Sequence, residues 1–177
     1  LFILLYLGVK GKQFRDICNI KDKDIDLETG IIQGEDGILC TIPKQYIKYF
    51  EQAMKEETYT RYDKDGKITS ESIVNTASEY FLKRRIGKNN DEFVAPDSAL
   101  VSNTMLDAQK SIRNPYITPI SLYLSGEAYR LIERCDMEMP TNKDLKEFRE
   151  ETGSSLSFVS MKTVCGIILD KLGITTP

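Results

Sequence analysis

Apolar positions along the chain fall into short runs whose spacing changes from segment to segment. Leu1 to Leu7 is almost wholly apolar and stops at Gly8, which predicts the end of a buried helix over residues 1–9. Residues 12–20 predict a second short helix. Two β-rich runs, Ile31-Ile32-Gln33 and Ile38 to Ile42, flank Gly34-Glu35-Asp36-Gly37 and predict a hairpin. Pro43 opens a helix at its first turn, and Ile47, Phe50 and Met54 recur there at i, i+3 and i+7.

Beyond the hairpin the pattern is helical. A helix is expected over 70–86, with Ile73, Ala77, Tyr80, Phe81 and Arg84 near one face and Gly87 at its C-terminal cap. Phe93-Val94 is a short extended piece. A further helix over 102–113 ends at Asn114-Pro115, and another runs from Pro119 to about Cys135 with Leu124, Ala128, Leu131 and Cys135 inward. Thr141 is an N-cap for 142–151, and Gly153 closes that helix. The last helix spans about 157–172 with Val164, Ile167, Ile168 and Leu172 at core spacing. The fold class is therefore mainly α with a small β-hairpin. The polar stretch 58–70 reads as an internal loop within one domain over 1–177. A chain that opens inside an apolar run is expected to be the C-terminal part of a longer one.

Composition narrows the chemistry. The hydrophobic and charged fractions, 41% and 29%, are those of a globular protein, and the longest apolar run is too short to span a bilayer. With no histidine, Ser-His-Asp and Cys-His catalysis and the commonest general base are unavailable. Cys18, Cys40, Cys135 and Cys165 lie far apart with no CxxC pair, so buried free thiols in a cytoplasmic protein are expected rather than a metal site. Asp63, Asp65 and Gly66 resemble part of a calcium loop. Its first and twelfth positions would be Arg61 and Ser72, neither a suitable ligand, so a plain Asp-Gly turn is expected. No cofactor is called for.

Net charge is −3, which argues mildly against nucleic acid, but the cations are unevenly placed. Lys83, Arg84, Arg85 and Lys88 form the densest cluster. Lys10, Lys12 and Arg15 surround the Gly8–Gly11 corner, and Lys110, Arg113 and Arg130 flank the Thr118-Pro119 segment. Each group has a plainer reading. The 83–88 cluster and Lys110–Arg113 would sit at helix C-termini, where cations meet the dipole. Lys10 and Lys12 would be solvated corner residues. Tyr116, Tyr123 and Tyr129 read as core or interface aromatics.

The order of elements resembles the catalytic domain of tyrosine recombinases (phage integrases), the DNA breaking–rejoining fold. The family's corner, roughly G-L-R-x-S-E-[IL]-x-x-L-x-W-x-D-I-D, is matched by Gly11, Asp16, Ile17, Ile20, Asp24, Ile25 and Asp26. Leu27-Glu28-Thr29-Gly30 resembles its turn into the first strand. Thr118-Pro119 to Ala128 resembles the T-P-H-x-L-R-H segment, and Leu145 to Gly153-Ser154-Ser155 resembles L-G-H-S-S. The resemblance implies a tyrosine nucleophile, two phosphate-clamping arginines, a lysine and histidines, and these are missing. Gln13 stands where the first arginine belongs, or Lys10 on a gapped alignment. Ile120 and Leu124 replace histidines, Tyr123 replaces the second arginine, and Ser154 replaces a third histidine. No tyrosine follows Tyr129, and Gly34-Glu35-Asp36-Gly37 lacks the hairpin lysine.

Losing nucleophile, clamp and imidazoles together leaves the transition-state charge unmet, so no enzyme is expected. The pattern resembles the master repressors of SPβ-type phages, a noncatalytic branch of this fold. The expected function is a cytoplasmic, nucleoid-associated phage or prophage repressor that binds double-stranded DNA. An oligomerisation module using the last helix comes second and an active recombinase third. DNA contacts would come from the basic residues named above.

Overall fold

In the computed structural model, residues 1–63, 65–86, 95–154 and 156–174 are described. The chain divides into two compact units, Leu1–Pro119 and Ile120–Pro177.

The first unit begins with helix α1 (Phe2–Tyr6), a 3-10 turn at Lys12–Phe14 and helix α2 (Arg15–Asn19). Strands β1 (Ile31–Gly34) and β2 (Gly37–Thr41) form the predicted antiparallel hairpin, with a bulge between Ile32 and Gln33. Asp26 fixes the turn that feeds β1. Its carboxylate accepts the Glu28 and Thr29 amides and the Thr29 hydroxyl, and these bonds hold its pKa below the usual carboxylate range. Gly30, at φ 76°, must be glycine, because a Cβ there would lie 2.6 Å from the Ile42 carbonyl oxygen. Helix α3 (Lys44–Lys55) follows, with Pro43 at the cap itself and Phe50 buried.

The expected helix over 70–86 is not there. Strands β3 (Thr58–Tyr62) and β4 (Ile68–Ile73) form a second antiparallel hairpin, and residues 74–86 run on as turns and isolated bridges. The apolar residues at 73, 77, 80 and 81, with Arg84 after them, imitate a helical period, but the polar residues between them bond their own backbone instead. Asn75 Oδ1 accepts the Ala77 amide at 3.1 Å and Ser78 Oγ accepts the Tyr80 amide at 3.3 Å, two local turns that compete with helix. The segment is anchored by Phe81 N–H on the Ile20 carbonyl and by the Phe81 ring stacked on Phe50, centroids 5.3 Å apart. The Asp-Gly turn is present, and Asp63 Oδ1 accepts the Asp65 and Lys67 amides. Gly87 and Phe93-Val94 lie outside the described residues. Helix α4 (Ser98–Ile112) starts at an Asp97 cap and closes the unit over a core of Leu4, Leu5, Ile17, Ile20, Ile32, Phe50, Val101 and Met105.

The second unit contains α5 (Pro119–Arg134), α6 (Asn142–Thr152) and α7 (Phe158–Lys171). The Thr141–Asp144 capping box and Gly153 at φ 66° bound α6 as the sequence predicts. The core packs Ala128, Leu131 and Ile132 against Leu145, Phe148, Met161, Cys165 and Leu169. On α7 the buried face is Met161, Cys165 and Leu169. Ile167 and Leu172, expected inside, are 55% and 50% exposed, because α7 is apolar on several sides and its period does not select one face. Cys18 and Cys165 are buried thiols, whereas Cys40 and Cys135 are half-buried. Tyr116, read as a core or interface aromatic, is 82% exposed. Among the described residues, no helix is long and apolar enough to cross a membrane.

Candidate nucleic-acid interface

The corner is built by unusual backbone. Gly11 has φ 62° and ψ 178°, and Gln13 and Phe14 follow with φ 55° and 62°. Two adjacent non-glycine residues in the left-handed region are costly, and such strain concentrates where the chain must present particular side chains. It turns the chain sharply into α2. The site of a Cβ at Gly11 is filled by the Asp16 carboxylate, 2.3–2.6 Å away. The side chains this corner offers to solvent are Lys12, Gln13 and Arg15, all exposed, while Lys10 is half-buried. Lys12 and Arg15 make no ion pair among the described residues. Arg15 borders an open cavity of about 540 Å³ that is also lined by Asp16, Lys23, Asp24, Glu35 and Asp36. Where the resemblance implies a hairpin lysine, the β1–β2 turn carries two carboxylates.

Lys83, Arg84 and Arg85 do not end a helix, so the dipole reading falls for them. They do not form an open cationic patch either. Lys83 is 7% exposed with Nζ 2.8 Å from Asp22. Arg84 donates to Asp97 at 3.0 Å and to the Ala95 carbonyl at 3.1 Å, and Arg85 lies over the Tyr59 ring at 5.3 Å. These three hold the 74–86 segment in place. Lys88 lies outside the described residues. At the end of α4, Lys110 is exposed in the last turn, and Arg113 caps the helix at φ 52° with its guanidinium 2.9 Å from Asp65.

In the second unit, α5 places Tyr123, Glu127 and Arg130 at i, i+4 and i+7, on one face. Tyr123 and Ser154, the positions matched to the second arginine and the third histidine, lie close together, and the Ser154 side chain offsets part of the rise in the Tyr123 pKa. The structure thus brings together two positions that the motif alignment assigns to one active site. Burial pushes the Tyr123 phenol above its ordinary pKa, and the Glu127 charge adds to the rise. Arg130 is bonded to Glu127. Ile120 is 49% exposed at the start of α5.

Sequence reasoning missed two groups. Glu127 is buried, and a charged residue between Gly126 and Ala128 gives no hint of that. Arg149 donates Nε–H to the Ser154 carbonyl at 3.2 Å, covers the Phe158 ring and borders an open cavity of about 350 Å³ with Lys146. Its place in the acidic 144–151 run hid it.

A family model described as "MrpR, C-terminal catalytic domain" matches residues 1–154. No curated protein matches the chain.

Proposed function

Because the chain belongs to the MrpR C-terminal catalytic domain family, a tyrosine-recombinase-like family, we propose that it is a noncatalytic, DNA-binding transcriptional regulator of phage or prophage type, acting in the cytoplasm. The observation that carries this reading is the state of the paired positions. Tyr123 and Ser154 meet where the alignment expects an arginine and a histidine, and neither can clamp or protonate a phosphodiester. Gln13 fails in the same way at the corner, and the chain holds no histidine. Lys12, Arg15 and Lys110, exposed and without ion pairs among the described residues, are the proposed phosphate contacts. Lys83 and Arg84 leave that set, since their charges are spent on Asp22 and Asp97.

The test is selection of bound fragments from host and phage DNA by the protein, with salt titrated. A defined site bound with nanomolar affinity, weakening steeply between about 50 and 200 mM salt, is the expected result. A nicked suicide substrate should trap no covalent adduct. Sequence-indifferent binding, or an adduct, refutes the reading. Val159, Ile167 and Leu172, exposed on α7 at 77%, 55% and 50%, favour a second reading as an oligomerisation module. Its mark would be a stable dimer with no DNA affinity.

A further inference from the structure

Helix α6 carries four carboxylates and three cations. Each carboxylate is already engaged. Asp144 closes the capping box with Thr141, Glu147 and Glu151 meet Arg134, and Glu150 lies 3.9 Å from Lys146. Lys143 reaches Glu147 at 3.8 Å. Arg149 is the cation left over. Its neighbours one turn away are Leu145, Lys146, Thr152 and Gly153, none of them an acid, and it makes no ion pair among the described residues. An exposed arginine without a partner ordinarily samples many rotamers, yet this one is fixed at two points. Nε–H donates to the Ser154 carbonyl at 3.2 Å, and Cζ lies 5.2 Å from the centre of the Phe158 ring. The turn after α6 makes this possible. Gly153 closes the helix at φ 66° with its amide on the Arg149 carbonyl at 2.9 Å, and the Ser154 amide donates to the Thr152 hydroxyl at 3.3 Å.

With Nε–H committed to Ser154, the two Nη groups remain, and they have no acceptor among the described residues. Arg149 lines an open cavity of about 350 Å³ with Lys146, Gly153, Ser154 and Phe158, and with Glu150 as its one carboxylate. Coplanar N–H donors spaced to meet two oxygens suit a phosphate, and a guanidinium already held still loses less side-chain entropy when it binds. Lys146 adds a second charge, since its pair with Glu150 is loose and both side chains are largely exposed. A staple for the α6–α7 turn would need only the Nε bond and the ring. It would not need surroundings cleared of acids on a helix that is otherwise net acidic. We infer that Arg149, with Lys146 beside it, forms a phosphate site in the second unit, and that its occupant is a backbone phosphate of double-stranded DNA. The motif alignment gives neither residue a role. The DNA identity rests on the regulator reading above, whereas the phosphate site rests on the fork and the cavity.

The experiment has two arms on the 177-residue chain. In the first, binding to a selected duplex is titrated with salt. Arg149→Gln should weaken binding about tenfold, as one charge-assisted contact is worth, and lower the log–log salt slope by about one. Arg149→Lys keeps the charge without the fork, so it should hold the slope and still bind at least about threefold more weakly than the parent. Lys143→Gln, on the same helix but outside the cavity lining, should change neither quantity. In the second arm the Arg149 Nε–H signal of the unmutated protein is followed by 1H–15N NMR with inorganic phosphate, against chloride at matched ionic strength. The signal should move and saturate with phosphate alone. Identical responses to both salts overturn the phosphate site, and this arm decides if Arg149→Gln does not fold. A parent that binds its duplex while Arg149→Gln leaves the slope unchanged overturns the inference and spares the regulator. A parent that binds no DNA but saturates with phosphate supports the site and refutes the regulator and the DNA occupant.

Discussion

Replacing Gly11 by alanine isolates the corner's two constraints. The backbone there, φ 62° with ψ 178°, lies in a region that residues with a Cβ scarcely visit, at a cost of about 1–3 kcal/mol. The new methyl would also fall 2.3 Å from Asp16 Oδ1 and 2.4 Å from its Cγ, so the carboxylate must swing away, which adds about 1 kcal/mol for an off-rotamer side chain. Gly11→Ala should therefore destabilise by about 2–4 kcal/mol, a large share of the 5–15 kcal/mol usual for a domain. Asp16→Ala removes the obstacle but not the backbone strain. In the double variant the clash component should disappear, giving a coupling of about 1 kcal/mol between the two sites. Urea unfolding followed by far-UV circular dichroism measures all four proteins, with hydrogen exchange at the Ile17 and Ile20 amides reporting on the corner. A Gly11→Ala protein within about 0.5 kcal/mol of the parent would falsify the argument. Strict additivity with Asp16→Ala would show that the two side chains do not compete for one space.

Lys83→Gln strands Asp22 and should cost about 1–3 kcal/mol in urea unfolding while leaving the salt slope of DNA binding unchanged, the reverse of a phosphate contact. Lys12→Gln with Arg15→Gln should lower that slope by about two and leave the unfolding midpoint alone. Thr141→Ala removes the α6 cap and should cost about 1 kcal/mol. Burial pushes the Cys165 thiol up to about 11 from 9.0, so the unfolded chain loses its thiol proton first on going alkaline. That contribution to stability is complete below pH 9 and is lost as pH rises from 9 toward 11, and Cys165→Ala should flatten that limb of the stability–pH curve.

Where structure is decided by chemistry within a few residues, the sequence is readable. Thr141, Asp144 and Gly153 bound α6 because cap bonds and a left-handed closure involve only neighbours. The Asp24–Gly30 turn and the β1–β2 hairpin are readable for the same reason. The 70–86 segment is not. Its apolar spacing fits a helix, and only pairing with residues 20–22 and with Thr58–Tyr62, remote in sequence, selects strand and turns. On α7 the presence of Val159, Val164, Ile167, Ile168 and Leu169 leaves several faces equally apolar, and tertiary packing chooses one. The candidate site divides in the same way. Lys12 is exposed as a corner residue should be, and the motif alignment singles out Tyr123 and Ser154 without saying what surrounds them. That Lys83 and Arg84 would be consumed by Asp22 and Asp97 depends on which acids the fold brings near. The burial of Glu127 depends on which face of α5 turns inward.

The β3–β4 hairpin has no buried residue, and it meets α4 through the Tyr59 hydroxyl and Arg61 Nε, both donating to Asp107 Oδ2 at 3.0 and 2.8 Å. Apolar burial makes most elements of a fold open together, since lifting one exposes the core of the rest. A hairpin held by Asp107, by the Asp65–Arg113 ion pair and by Arg85 over Tyr59, with no buried residue of its own, has a separate and smaller opening free energy, and salt lowers it further by screening the ion pairs. The first unit thus contains a ribbon that can detach and return many times for each global unfolding event. Its opening is set by these polar contacts, not by the hydrophobic core.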